Sequence, residues 1–178
     1  AKRAAHEESV MRTLFIAALA PALLAAALPA GAAQADAVNT ISLSPDAQKT
    51  FETKYGLREV DTLDRAIRVS IAQALAARGL AERPDLRIEV TLDEATPTRP
   101  TFQQMIDNVS LDMRSVSLGG AALQARLVNA QGETVDTVKF RWYEYDLRNA
   151  FSSATWDDAR QAIHLFARKV AQAYAAHA

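Results

Sequence analysis

The chain has 178 residues, of which 49% are hydrophobic, 23% charged and 7% aromatic, and its formal net charge is −1. A charge this close to zero argues against a nucleic-acid-binding protein, which usually carries a basic excess. The absence of cysteine excludes disulfides, thiolate zinc sites, iron–sulfur clusters and a cysteine nucleophile. The hydrophobic and charged fractions are those of an ordinary globular protein.

Residues 11–35 contain the three parts of a secretory signal peptide. Met11-Arg12 is the short basic start, an apolar run extends from Leu14 to Ala30, and Ala33-Gln34-Ala35 is a small-x-small cleavage site. We expect cleavage between Ala35 and Asp36. Residues 1–10 precede Met11 and are interpreted as an upstream segment without a role in folding.

A retained membrane anchor is the alternative interpretation of the apolar run. The run is interrupted by Pro21 and Pro29 and lies at the lower edge of the length that spans a bilayer. No cysteine follows it, so a bacterial lipobox is absent and a lipid anchor is not expected. A cysteine-free exported chain fits the bacterial periplasm, with secretion from the cell as the alternative. After cleavage, we expect no stable membrane span.

Residues 36–178 are predicted to form a single domain that starts with a strand and two helices. The strand covers residues 38–43, and Ser44-Pro45 then predicts the capped start of a short helix that ends near Gly56. Asp61 or Thr62 is predicted to cap a longer helix that ends at about Arg78. The apolar stripe of that helix has the i, i+4 spacing of one buried face and consists of Leu63, Ile67, Ile71, Ala74 and Leu75.

The second half of the domain is predicted to contain three strands and a closing helix. Residues 86–92 alternate between apolar and polar, and residues 123–127 and 138–142 alternate on either side of a turn at 129–132, which predicts a β-hairpin. Residues 155–158 resemble a capping box that starts the last helix. The apolar stripe of this helix is Ala159, Ile163, Phe166, Val170 and Tyr174. This order predicts an α+β two-layer sandwich, in which an antiparallel-rich sheet of about four strands carries two long helices on one face.

No pattern in the sequence indicates catalysis, a metal site or a cofactor. Only His164 and His177 follow residue 35, and no HxH, HExxH or HxxxH pair is present. A zinc site needs three or four convergent ligands, so both histidines are interpreted as incidental. No GxSxG motif surrounds a serine. We therefore predict no catalytic residues, no bound metal, no cofactor and no enzymatic activity.

Adjacent carboxylates offer an alternative, an enzyme with an unrecognised carboxylate-based site. Asp93-Glu94 and Asp157-Asp158 are the candidate pairs. Consecutive residues on a strand point to opposite faces of the sheet, which weakens the first pair. The second pair lies in the first turn of a helix, where the helix dipole favours acids. A purely structural envelope protein is the third interpretation.

The outer, polar face of the sheet is the first candidate binding surface. Its cationic and tyrosine side chains could hold an anionic or glycan-like ligand, or an envelope protein, through charge-assisted bonds and stacking. A solvated face in which arginine stems cover tyrosine rings is the alternative. The candidate residues are Arg87, Gln124, Arg126, Lys139, Arg141, Tyr143 and Tyr145.

Residues 95–118 are the second candidate surface. The segment is long for a connection and contains several apolar residues, and long connections are often functional. If these side chains are exposed, they mark a contact site. Alternatively, residues 109–113 form another edge strand that folds onto the core.

The succession of elements resembles that of small envelope proteins of Gram-negative bacteria. An amphipathic helix ends in Leu75-Ala76-Ala77-Arg78-Gly79-Leu80, an alternating strand follows at 86–92, and a Gly-Gly strand runs into Asn129-Ala130-Gln131-Gly132-Glu133 before a closing helix. Such proteins include uncharacterised periplasmic domains and auxiliary components of transport or lipopolysaccharide-assembly systems, and they are often lipoproteins. The resemblance implies a non-catalytic accessory or binding role in the periplasm.

Overall fold

The computed structural model describes residues 38–152 and 154–177. The upstream segment, the signal peptide and its cleavage site, all predicted above, lie outside the described residues. The described residues form an α+β domain with one open, mixed, mostly antiparallel sheet, as predicted.

The sheet has four strands in the order β1-β2-β3-β4. They are β1 (Thr40–Leu43), β2 (Leu86–Thr96), β3 (Gly120–Asn129) and β4 (Thr134–Tyr143). β1 pairs with β2 in parallel, whereas β2–β3 and β3–β4 are antiparallel. The predicted hairpin is β3–β4.

Among the described residues, four α-helices, one π-helical turn and one 3-10 turn connect and cover the strands. They are α1 (Pro45–Thr50), the π-turn (Phe51–Tyr55), α2 (Arg58–Ala76), α3 (Phe102–Asp107), the 3-10 turn (Leu147–Ser152) and α4 (Asp157–Ala176). A parallel strand pair needs a long crossover, and α1, the π-turn and α2 supply it between β1 and β2. α1 starts as predicted, because the Ser44 hydroxyl accepts a bond from the Ala47 amide and Pro45 follows the cap.

The predicted start of α2 is wrong by one turn. The helix begins at Arg58 rather than after Asp61 or Thr62, and its N-cap residue Leu57 makes no side-chain cap bond. Glu59 in the first turn instead accepts a hydrogen bond of 2.6 Å from the indole of Trp156. The first turn of α2 is therefore held by a contact with a distant part of the chain, Trp156, which the local sequence does not reveal.

The predicted capping box of α4 is also wrong. α4 begins at Asp157, and its N-cap residue Trp156 makes no side-chain cap bond. The hydroxyl of Thr98 caps the helix instead, because it accepts a hydrogen bond of 3.3 Å from the Asp158 amide. The cap of the last helix thus comes from the connection between β2 and β3.

The core lies between the inner face of the sheet and the two long helices. α2 packs against α4, and α4 packs against β3 and β4. The predicted stripes are buried on both helices, apart from Ala74, which is half-buried. The fully buried side chains at the centre include Ile67, Ile88, Leu123, Leu127 and Phe166. Each contributes about 1.5–3 kcal/mol through removal of apolar surface from water.

Candidate functional site

The outer face of the sheet carries the predicted cations, as the strand periodicity requires. Strand pairing aligns Glu89 with Arg126, Thr91 with Gln124, and Gln124 in turn with Lys139. The side chains of Arg87, Arg126, Lys139 and Arg141 are exposed. Tyr145 lies beyond the end of β4 and is 87% exposed. The structure therefore brings the strand residues together and leaves Tyr145 separate from them.

Two of these arginines form ion pairs with glutamates of β2, a pairing that the sequence did not predict. Arg141 lies 2.7 Å from the carboxylate of Glu94, and Arg126 lies 3.7 Å from that of Glu89. Arg126 also donates to the hydroxyl of Thr134. Because these pairs are exposed, each contributes at most about 1 kcal/mol to stability. They do neutralise part of the positive charge that an anionic ligand would need.

Tyr143 lies at the end of β4, opposite Gly120. The Arg141 guanidinium lies 5.5 Å from the centre of its ring. Its hydroxyl is buried and has no hydrogen-bond partner among the described residues. Burial, together with the nearby Glu94 carboxylate, raises the pKa of Tyr143 well above its usual value. Gly120 permits this packing, since a Cβ there would lie 2.6 Å from the ring.

A pocket of about 510 Å³ lies at one end of this face, between the α1–π-turn segment and β2. Three carboxylates line it, those of Asp46, Asp93 and Glu94, together with Lys54 and Arg141. The expectation that Asp93 and Glu94 diverge is wrong, because the strand register shifts between Leu92 and Glu94. This β-bulge brings both side chains to one pocket. Aspartate is rare in regular strands, so Asp93 was the sequence signal that could have indicated this bulge.

The segment 97–119 is an excursion from the sheet, and hydrogen bonds hold its base. The Thr98 amide donates to the Thr155 carbonyl at 2.7 Å, and the Gly119 amide donates to the Asp158 carboxylate at 3.0 Å. The Ser117 amide donates to the Thr98 carbonyl, which closes the base of the excursion. Gly119 is required there, since a Cβ would lie 2.7 Å from the Thr98 hydroxyl.

The prediction of an edge strand at 109–113 is wrong. The excursion contains α3 and turns, and no described residue between Thr96 and Gly120 belongs to a strand of the sheet. A capping box starts α3, because the Thr101 hydroxyl and the Gln104 amide oxygen each accept a bond from the other residue's backbone amide. The T-x-x-Q spacing of this motif was the missed sequence signal.

The middle of the excursion, residues 102–113, exposes large apolar side chains. The exposed fraction is 96% for Val109, 72% for Phe102, 62% for Met113 and 58% for Ile106. Phe102 and Ile106 are one helical turn apart and lie on the same side of α3. We name these four residues the α3 patch. Apolar side chains concentrated in one short exposed segment are typical of a contact surface.

The histidines lie apart from both surfaces. His164 is exposed on α4, and His177 lies 3.4 Å from the carboxylate of Asp136. Within residues 38–152 and 154–177, no group of three or more His, Asp or Glu side chains is placed to hold a metal ion. No described helix is both long enough and apolar enough to cross a membrane.

Comparisons with known proteins gave two weak structural similarities. No protein-family profile and no curated protein sequence matches the chain. A candidate lipoprotein from Caulobacter crescentus is similar at a TM-score of 0.40 and 17% identity, over 80% of this chain and 90% of that one. A minor lipoprotein from Acinetobacter baumannii is similar at a TM-score of 0.34 and 15% identity, over 78% of this chain and 93% of that one.

Proposed function

We propose that the protein is an exported, non-catalytic accessory protein of the bacterial cell envelope that binds a partner protein through the α3 patch. Export is supported by residues 11–35, which have the basic start, apolar run and cleavage site of a signal peptide. The observation that carries the binding role is the exposure of Phe102, Ile106, Val109 and Met113 on an excursion whose base is fixed by buried hydrogen bonds.

The charge of the excursion favours a protein over an anionic membrane as the partner. Its four charged residues, Arg99, Asp107, Asp112 and Arg114, balance to zero. A surface that binds anionic lipid gains affinity from an excess of lysine and arginine. The core of a protein–protein interface is instead depleted of charge and rich in aromatic residues and methionine. The α3 patch matches the second description.

The experiment compares Phe102→Asp/Val109→Asp with the control Val69→Asp, which changes an exposed valine on α2. A photo-crosslinking group at Ile106 identifies the partner in envelope extract, and the purified partner is then titrated against each variant. We expect the double variant to weaken binding at least about tenfold and the control to leave it unchanged. Both changes lie on exposed side chains, so circular dichroism should show an intact fold.

Two results would contradict the proposal. One is a purified partner that binds the double variant as tightly as the unchanged chain. The other is flotation with phospholipid vesicles that depends on Phe102 and Val109, which would make the α3 patch a membrane contact.

A carboxylate-based enzyme is the second candidate, and the pocket lined by Asp46, Asp93 and Glu94 is the observation that favours it. The Glu94 side chain is 49% exposed and is paired with Arg141, so its surroundings do not provide the burial that usually creates a general acid. Hydrolysis of chromogenic glycosides or esters that Asp93→Asn abolishes would support this candidate over the first.

A further inference from the structure

The outer edge of β4 is open, and the inner face beside it is incompletely covered. β4 is the last strand in the sheet order, so one side of its backbone pairs with no other described strand. Its inner-facing side chains Val138, Phe140 and Trp142 are half-buried. Their cross-strand neighbours on β3, Ala125, Leu123 and Ala121, are at most 1% exposed.

A groove of about 410 Å³ follows this edge between β4 and α4. Phe140 and Trp142 line it on the strand side, and Arg78, Arg168 and Lys169 line it on the helix side. We name it the β4 groove. The ammonium of Lys169 lies 5.8 Å from the centre of the Phe140 ring.

The charge of the β4 groove is uniformly positive. None of the residues that line it is acidic. Within the part of the chain that the structure describes, Arg78, Arg168 and Lys169 make no ion pair with a carboxylate, whereas Arg68, Arg83 and Arg141 each do. On the opposite face of the same strand, Lys139 is also exposed. The open edge is therefore flanked by cations on both faces.

We propose that the β4 edge binds an extended acidic segment of a partner protein, which adds as a fifth strand to the sheet. The backbone of that segment would pair with the open side of β4, as in β-strand addition. Alternate side chains of a strand point to one face, so residues i and i+2 of the segment would both face the groove. One of them, if apolar, can cover Phe140 and Trp142, and the other, if acidic, can reach Arg168 and Lys169. This surface shares no residue with the α3 patch, and the inference goes beyond the proposed function.

Two other occupants fit the β4 edge and the β4 groove less well. A second copy of β4, paired antiparallel about Phe140, would bring Lys139 of one copy opposite Arg141 of the other, and like charges in neighbouring strands are destabilising. An anionic lipid could use the cations and the apolar groove, but it has no use for an open strand edge. The edge and the groove together are explained by an acidic strand.

The test selects a library of random short peptides, displayed on phage, against the purified chain. We expect the selected peptides to be rich in glutamate and aspartate, with an acidic and an apolar residue two positions apart so that both face the groove. Binding should fall at least about tenfold in Arg168→Glu/Lys169→Glu and stay within about twofold in the control Arg65→Glu, which reverses an exposed cation on α2. Arg78→Glu is a second groove variant in case the double variant folds poorly. Hydrogen exchange should slow at those backbone amides of β4 that do not bond to β3.

Three results would overturn the proposal. The first is a selected pool without enrichment in acidic residues. The second is peptide binding that is the same in the groove variants as in the unchanged chain. The third is groove-dependent binding of phosphatidylglycerol vesicles without any peptide binding, which would assign the groove to lipid.

Discussion

Leu123 and Phe140 are directly opposed on β3 and β4, and both face the helices, but their surroundings differ. Leu123 is 1% exposed under α4, whereas Phe140 is half-buried beside a groove. In the sequence the two residues look equivalent, because each is an apolar residue in a strand where apolar and polar residues alternate. The comparison teaches that alternation determines which way a side chain points, and that the position of the covering helix determines how far it is buried.

The largest expected effect is that of a substitution at Leu123, the residue covered by α4. Leu123→Ala leaves a cavity under α4 and should lower the free energy of unfolding by about 2–5 kcal/mol. Phe140→Ala removes more atoms, yet it should cost only about 1–2 kcal/mol, because part of the ring already contacts water. Urea denaturation of both variants measures the difference, with Gln124→Ala on the outer face as a control. Equal losses at the two positions would mean that the β4 groove is closed in solution.

Tyr143, at the end of β4, provides a second comparison, between a buried and an exposed tyrosine hydroxyl. Burial raises the pKa of Tyr143, so its hydroxyl stays protonated in the folded chain at a pH where the unfolded chain ionises. Stability is then lost as pH rises above about 10, the usual tyrosine pKa. Tyr143→Phe should make this alkaline loss shallower and change stability at pH 7 by no more than about 1 kcal/mol. Thermal melts from pH 7 to about pH 11 measure both effects.

Tyr145→Phe is the matched control for that change, because the Tyr145 side chain is 87% exposed. The variant should follow the unchanged chain across the whole pH range. The same alkaline slope in Tyr143→Phe and in the unchanged chain would show that the Tyr143 hydroxyl is hydrated in solution.

The smallest expected effect lies on the outer face. A double-mutant cycle with Glu94→Gln and Arg141→Gln should give a coupling energy below about 1 kcal/mol that decreases as salt is added. The pair is exposed, with side-chain exposures of 49% and 69%. A salt-independent coupling of about 2 kcal/mol or more would mean that another molecule or segment covers this face.

Much of the fold could be predicted from local patterns. The stripe of α2, the alternation of β2 and the turn between β3 and β4 depend on neighbouring residues, and all three were confirmed. The start of α4 near residues 155–158 was predicted, but its cap could not be, because the hydroxyl of Thr98, 60 residues away, supplies it. The bulge at Asp93 was missed because a register shift depends on the partner strand.

The candidate site was less predictable than the fold. Periodicity placed Arg126 and Arg141 on the outer face, but the pairing of Arg141 with Glu94 depends on strand register. The β4 groove combines Arg78, two residues after the end of α2, with Arg168 of α4 and Trp142 of β4, so only the packing of these separate parts of the chain creates it. Whether the outer-face residues bind a ligand stays a prediction.

The position of α4 has a consequence for the order of folding. This helix follows every strand in the chain, yet it fills the centre of the core. The bond between Trp156 and Glu59 spans 97 residues, and that between Tyr174 and Arg83 spans 91. Such long-range contacts slow folding, because the connecting chain must first close. The β3–β4 hairpin can form early, but its apolar face remains uncovered until α4 docks. If the chain is exported unfolded, as the proposed function implies, chaperones can bind this uncovered face before α4 docks.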